Sequence, residues 1–103
     1  STARTDVDIG VQVRARDLRT EQLEGVGFVA RRVGAGGPPA DSAAVRFPSR
    51  GDTTHVFTFR VPDSFPTNTQ VDVYGIAYGP GGAARLSAPV HLVVVQCEDG
   101  TCR

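Results

Sequence analysis

The sequence predicts an all-β fold, an antiparallel two-sheet sandwich of about seven strands, on three observations. Apolar and polar residues alternate with period two from Val7 to Arg16 and again from His55 to Val61, as in strands with one buried face. Gly and Pro, 12 and 7 of the 103 residues, punctuate the chain with turns, and no long stretch carries apolar residues three and four apart as a helix would. The stretch Gln70–Val95 reads as two apolar arms around a Gly-Pro-Gly-Gly turn, the central hairpin of the fold.

Residues 1–6 (STARTD) are polar and are expected to be a flexible N-terminal segment outside the domain, which spans residues 7–96. In the first strand Val7, Ile9, Val11, Val13 and Ala15 face one way, while Asp8, Gly10, Gln12, Arg14 and Arg16 face the other. Asp17–Glu24 reads as a loop or a single helical turn. A second strand is expected over about residues 25–33, with Val26, Phe28 and Ala30 inward. GAGGPPADS, residues 34–42, can only be loop, because its Gly and Pro content does not suit an interior strand. A short strand, Ala43–Phe47, is expected to end at Pro48 and the SRGDT turn. His55–Val61 follows with Phe57, Phe59 and Val61 inward, and Pro62, which has no amide hydrogen, stops it. The strand Gln70–Tyr78 and a return strand from Ala84 to about Val95 complete the sheet, with Pro89 interrupting the latter at a bulge or edge switch.

Charge narrows the function classes. The chain has 11 basic and 11 acidic residues, so no cationic excess exists to neutralise a phosphate backbone, and nucleic acid is not an expected partner. All 11 basic residues are Arg, scattered rather than clustered. No apolar run reaches the roughly 20 residues of a membrane helix, so no membrane insertion is expected. No signal peptide is present, as for a mature chain or a fragment of a longer one.

Several features invite chemical readings. Cys97 and Cys102 flank Glu-Asp-Gly-Thr in a C-terminal tail, residues 97–103. Asp-Gly favours a tight turn, so a disulfide between the two is the leading expectation; pairing with another segment, or metal or redox work, are the alternatives. Asp6, Asp8 and Asp17 raise a calcium site, against which the other carboxylates are scattered and calcium needs six to eight converging oxygens. Arg50-Gly51-Asp52 spells an adhesion tripeptide that is equally an ordinary turn. Gly34–Gly37 lacks the lysine and following helix of a phosphate loop. No Ser, His or Asp sits on a strand-to-helix turn, and His55 and His91 read as strand residues, so no catalytic residue and no cofactor are assigned.

Aromatic placement is more informative. If Val71, Val73, Gly75 and Ala77 face the core, then Tyr74, Ile76 and Tyr78 share the outer face of the same strand. A solvated sheet face is polar; two tyrosines and an isoleucine there suggest a surface covered by a neighbouring domain, another protein or a ligand. The alternative is cross-strand pairing on a solvated sheet.

Six pieces, Val13-Arg14-Ala15-Arg16-Asp17, Gly25–Val29, Phe57–Pro62, Val71–Ala77, Gly82 and Ser87–Val94, follow one another in a familiar order. With them the chain, across residues 7–95, resembles bacterial immunoglobulin-like and fibronectin type III-like modules. The resemblance implies a β-sandwich serving as a spacer, interdomain wedge or adhesive unit of a secreted, periplasmic or cell-surface protein. Tyr78-Gly79-Pro80 stands where such modules often carry an Asp, which removes a calcium ligand from that turn. The chain has no Trp, and its two cysteines are too close in sequence for the inter-sheet bridge of antibody domains. The functional expectation is a non-catalytic module packing against neighbouring domains or another protein. The alternatives are a glycan- or ligand-binding module using the outer aromatic face, and a calcium-stiffened adhesion repeat.

Overall fold

A computed structural model describes residues 1–17 and 20–97. Its strands are β1 (Thr2–Arg4), β2 (Asp8–Arg16), β3 (Leu23–Arg32), β4 (Asp41–Arg50), β5 (Asp52–Arg60), β6 (Gln70–Tyr78), β7 (Ala84–Leu86) and β8 (Val90–Val95), with one 3-10 turn at Pro80–Gly82. They form two sheets. The larger runs β1-β8-β6-β3-β4, with β7 also paired to β6; the smaller is β2-β5.

The period-two readings correspond to what is buried. On β2 the inward residues Val13 and Ala15 are buried and Ile9 and Val11 pack against the core, while every polar alternate is exposed. On β5 Phe57 and Phe59 point in, followed by the fully buried Val61. They meet Val26, Phe28 and Ala30 of β3, Val71 and Val73 of β6, and Leu92 and Val94 of β8 in one core. Phe28 is its centre, with ring centroids 5.3 Å from Phe57 and 6.2 Å from Phe59. Such tilted aromatic pairs add about 0.5–1.5 kcal/mol beyond the area they bury.

The hairpin around Gly-Pro-Gly-Gly is present. β6 pairs antiparallel with both β7 and β8, and the residues between those two strands include Pro89, whose missing donor interrupts the return strand. Gly81 and Gly82 take φ values of 67° and 79°, left-handed conformations that suit glycine.

Three expectations are corrected. Residues 1–6 are not outside the fold: Thr2–Arg4 pair parallel with Val93–Val95, so the larger sheet is mixed rather than antiparallel. Ala3 is buried in the core, and the Cys97 amide donates to Thr5 Oγ1 at 2.8 Å. Thr5 also bridges to Val61, the residue after β5, so this short segment ties the two sheets together. The polar character of STARTD concealed this, because the segment's inward residues are only Ala and Thr. Second, Pro48 does not end β4. The strand runs to Arg50 at the sheet's edge, and the β3–β4 register shifts from Leu23↔Arg50 to Gly25↔Arg46, leaving Pro48 in the irregular stretch where a missing donor costs little. Third, the strands among the described residues number eight, because Pro89 divides the return strand and β1 is added.

Candidate functional site

β6 lies inside the larger sheet, flanked by β3 on one side and by β7 and β8 on the other, so its outward side chains have neighbours on both flanks. Val71 and Val73 are buried and Ala77 packs against the core. Tyr74, Ile76 and Tyr78 therefore occupy the opposite face, each half-buried although no second layer lies over them among the described residues. The structure brings the three expected residues together in one row.

The neighbours explain that partial burial. Tyr74 lies opposite Val29, Ile76 opposite Gly27 and Leu86, and Tyr78 opposite Gly25 and Ala84. Val29 is only 9% exposed yet does not belong to the core; its burial comes from the outer face itself. Gly25 and Gly27 leave the space that Tyr78 uses. A Cβ on Gly25 would come within 3.4 Å of Tyr78 Cδ2, and one on Gly27 within 3.3 Å of Tyr78 Cε2. From β4, the Arg46 guanidinium carbon stands 4.1 Å from the Tyr78 ring centroid. The ring thus rests by the two glycines and under a cation, and the cation contact contributes about 0.5–1 kcal/mol at an exposed site. Val29, Ala44, Ile76, Tyr78 and Leu86 border a shallow hollow of about 400 Å³ beside it, and Leu86 is 55% exposed. Farther along, Asp72 accepts a hydrogen bond from, or pairs with, exposed His91 on the adjoining strand.

Gly25, Gly27, Val29, Arg46 and Leu86 were missed as parts of this surface. Gly-x-Gly inside a strand was a usable signal, since glycine in a sheet interior marks close approach of another group. Arg46 carried none, because register alone sets it beside Tyr78.

The other sequence candidates are not gathered into a site. Asp17 accepts from the Thr20 and Gln22 amides and from Thr20 Oγ1, closing its own loop, while Asp8 binds Arg60 at 2.8 Å. No group of three or more metal-ligating side chains occurs among the described residues. The hydrogen bond and charge of Asp8 raise the Arg60 pKa, with small further help from Asp6 and Asp63. Arg50 ends β4, Gly51 crosses between the sheets and Asp52 begins β5, so the Arg-Gly-Asp tripeptide is a crossover. The His55 ring packs on Phe57 at 4.5 Å. The Cys97–Cys102 pairing involves Cys102, outside the described residues. No helix among the described residues is long and apolar enough to cross a membrane.

No protein-family model matches the chain, and no curated protein matches it.

Proposed function

We propose that this chain is a non-catalytic immunoglobulin-like or fibronectin type III-like module of an exported or cell-surface bacterial protein, packing against a neighbouring domain or another protein through the outer face of its larger sheet. The strand order supports the family reading: β8-β6-β3-β4 facing β2-β5 has the pairing of a G-F-C-C′ sheet over a B-E pair. The observation that carries the functional reading is the row of Tyr74, Ile76 and Tyr78 with Val29 and Leu86, an apolar surface on the side of the sheet away from the core. A face of that composition fits the core of a protein interface, where aromatic residues and Arg are enriched.

Glycan stacking is the weaker reading, because the Tyr78 ring already carries the Arg46 guanidinium and lies close to Gly25 and Gly27. The calcium-stiffened repeat is weaker still, since Asp8 and Asp17 are engaged in separate contacts. The test compares amide exchange at Val29 and Tyr74–Tyr78 in the isolated chain and in the natural protein that contains it. Added protection in the latter, removed by Ile76→Arg at unchanged domain Tm, is the expected result. Equal exchange in both would sink the packing role, and specific glycan binding lost in Tyr74→Ala would replace it.

A further inference from the structure

A cleft opens between the two sheets beside the contact of β2 with β6. Val13 packs over Gly75 there, so closely that a Cβ on the glycine would stand 3.4 Å from Val13 Cγ1. Next to that contact burial falls away. Val73 is 6% exposed and its cross-strand partner Val90 57%. Ala77 packs against the core, whereas its partner Arg85 is exposed. Partners across a ladder share a face, so Val90 and Arg85 both belong to the inward phase of the larger sheet. Between them Ser87 Oγ accepts from the Gly75 amide and donates to the Ala88 carbonyl, each at 2.9 Å. The cleft holds about 350 Å³, within the roughly 300–1,000 Å³ of small-molecule sites. It is polarised along its length: Arg16 and Arg85 also border an adjoining hollow, and Val11 and Val90 lie away from it.

The chain is neutral as a whole, but this cleft is not. Arg14, Arg16 and Arg85 border it and no carboxylate does. None of the three forms an ion pair among the described residues. Asp17 borders the adjoining hollow, where its carboxylate accepts from Thr20 and Gln22, and Asp52, opposite Arg16 in the ladder with β5, does not border the cleft. We propose that the cleft binds a small organic anion, an apolar tail ending in a carboxylate. The tail lies along β2 toward Val11 and Val90, and the carboxylate meets the guanidinium groups of Arg16 and Arg85. Apolar walls alone would accept any small hydrophobe; the arginines select the anion, because a planar guanidinium matches a carboxylate with two parallel hydrogen bonds. An inward-phase arginine on an edge strand can also serve only to keep sheets from pairing edge to edge, and the experiment separates the two roles. This site lies on the side of the larger sheet away from the Tyr74–Tyr78 face, and the proposal does not rest on that face.

Decanoate is the probe, titrated into the full chain and followed by amide shifts, with decanol as the neutral probe of matched tail. The expected result is saturable decanoate binding, with shifts at Val11–Arg16, Gly75 and Arg85–Val90, roughly tenfold tighter than decanol. Arg85→Gln and Arg16→Gln should each weaken decanoate roughly tenfold and leave decanol unchanged. Val90→Glu, at a largely exposed position, sets a carboxylate in the apolar end and should abolish decanoate binding at unchanged Tm. Equal affinity for decanol and decanoate, shifts confined to the Tyr74–Tyr78 face, or no saturable binding each overturn the proposal. So does an Arg85→Gln chain that self-associates yet binds decanoate as before, which makes Arg85 a guard of the sheet edge. Binding by the isolated chain that is lost in the natural protein containing it also overturns the proposal, and assigns the cleft to a neighbouring segment.

Discussion

Gly27 shows how one residue sets the shape of a surface. A Cβ there would approach the Ala43 carbonyl oxygen to 2.7 Å and Ala44 Cβ to 3.2 Å, and would press on Tyr78 at 3.3 Å. Replacing glycine by alanine ordinarily stabilises a strand slightly through the unfolded chain. Here backbone must move, so Gly27→Ala should instead cost about 1–3 kcal/mol in chemical denaturation, the range of overpacked sites. Tyr78→Ala removes the ring from both the glycines and Arg46 and should cost about 1–2 kcal/mol. Tyr78→Phe keeps the ring and should be close to neutral, which separates packing from any role of the hydroxyl. Thr5 is a third informative residue, being 1% exposed with its oxygen accepting from the Cys97 amide. Thr5→Val preserves shape but leaves that donor unsatisfied, and a loss of about 1–3 kcal/mol is expected. Arg60 makes the opposite kind of contact, with a side chain more than half exposed. Because Asp8 raises its folded pKa, its share of stability is complete below the ordinary arginine value and is lost only as pH rises through the still higher folded value, so Arg60 itself adds no pH dependence at neutral pH.

Among elements, β3 and β4 differ most. β3 is buried on both faces from Gly25 to Ala30, while β4, its neighbour at the edge, has no fully buried residue. Damage should follow that difference. Phe28→Ala opens the aromatic core under β3 and should cost about 3–5 kcal/mol, a large share of the 5–15 kcal/mol available to a typical domain. Pro48→Ala on the edge should stay within about 0.5 kcal/mol of the parent, because no interior ladder bond is regained. Thermal unfolding of the two variants side by side checks the contrast. The inward residues of β2, β3, β5 and β6 were legible in the sequence because a strand has period two and its apolar set can face only one core. β1 was not legible: three residues with one buried alanine leave no periodic signal, and their pairing partner is about 90 residues away in sequence.

For the whole molecule, the uneven size of the two sheets governs what is left to bind. A two-strand sheet cannot cover a five-strand-wide one, and the start of β8, at Val90, is left open beside β2. At the opposite surface, the outer face of the larger sheet carries the tyrosine row. One chain thus presents two apolar features, the outer face around Tyr74–Tyr78 and a cleft between β2 and Val90. Deleting residues 1–6 should destabilise the chain as a whole rather than trim a tail, because β1 caps β8 and Thr5 joins the sheets. A lower Tm with intact cooperativity is the expected reading, whereas an unchanged Tm would show that this strand contributes nothing.

By itself the sequence determined the all-β class, the inward phase of each long strand, the Gly-Pro-Gly-Gly hairpin and the outward row of Tyr74, Ile76 and Tyr78. These follow from alternation and turn chemistry, which act between near neighbours and so are written locally. Only the tertiary structure decided that the N-terminus is a parallel strand, that Arg46 and two glycines hold Tyr78, that Pro48 lies harmlessly at an edge, and that β2 has no second strand partner among the described residues. Each of those depends on which distant strands become neighbours and in what register, and register is settled by the packing of the whole core rather than by any stretch of the chain alone.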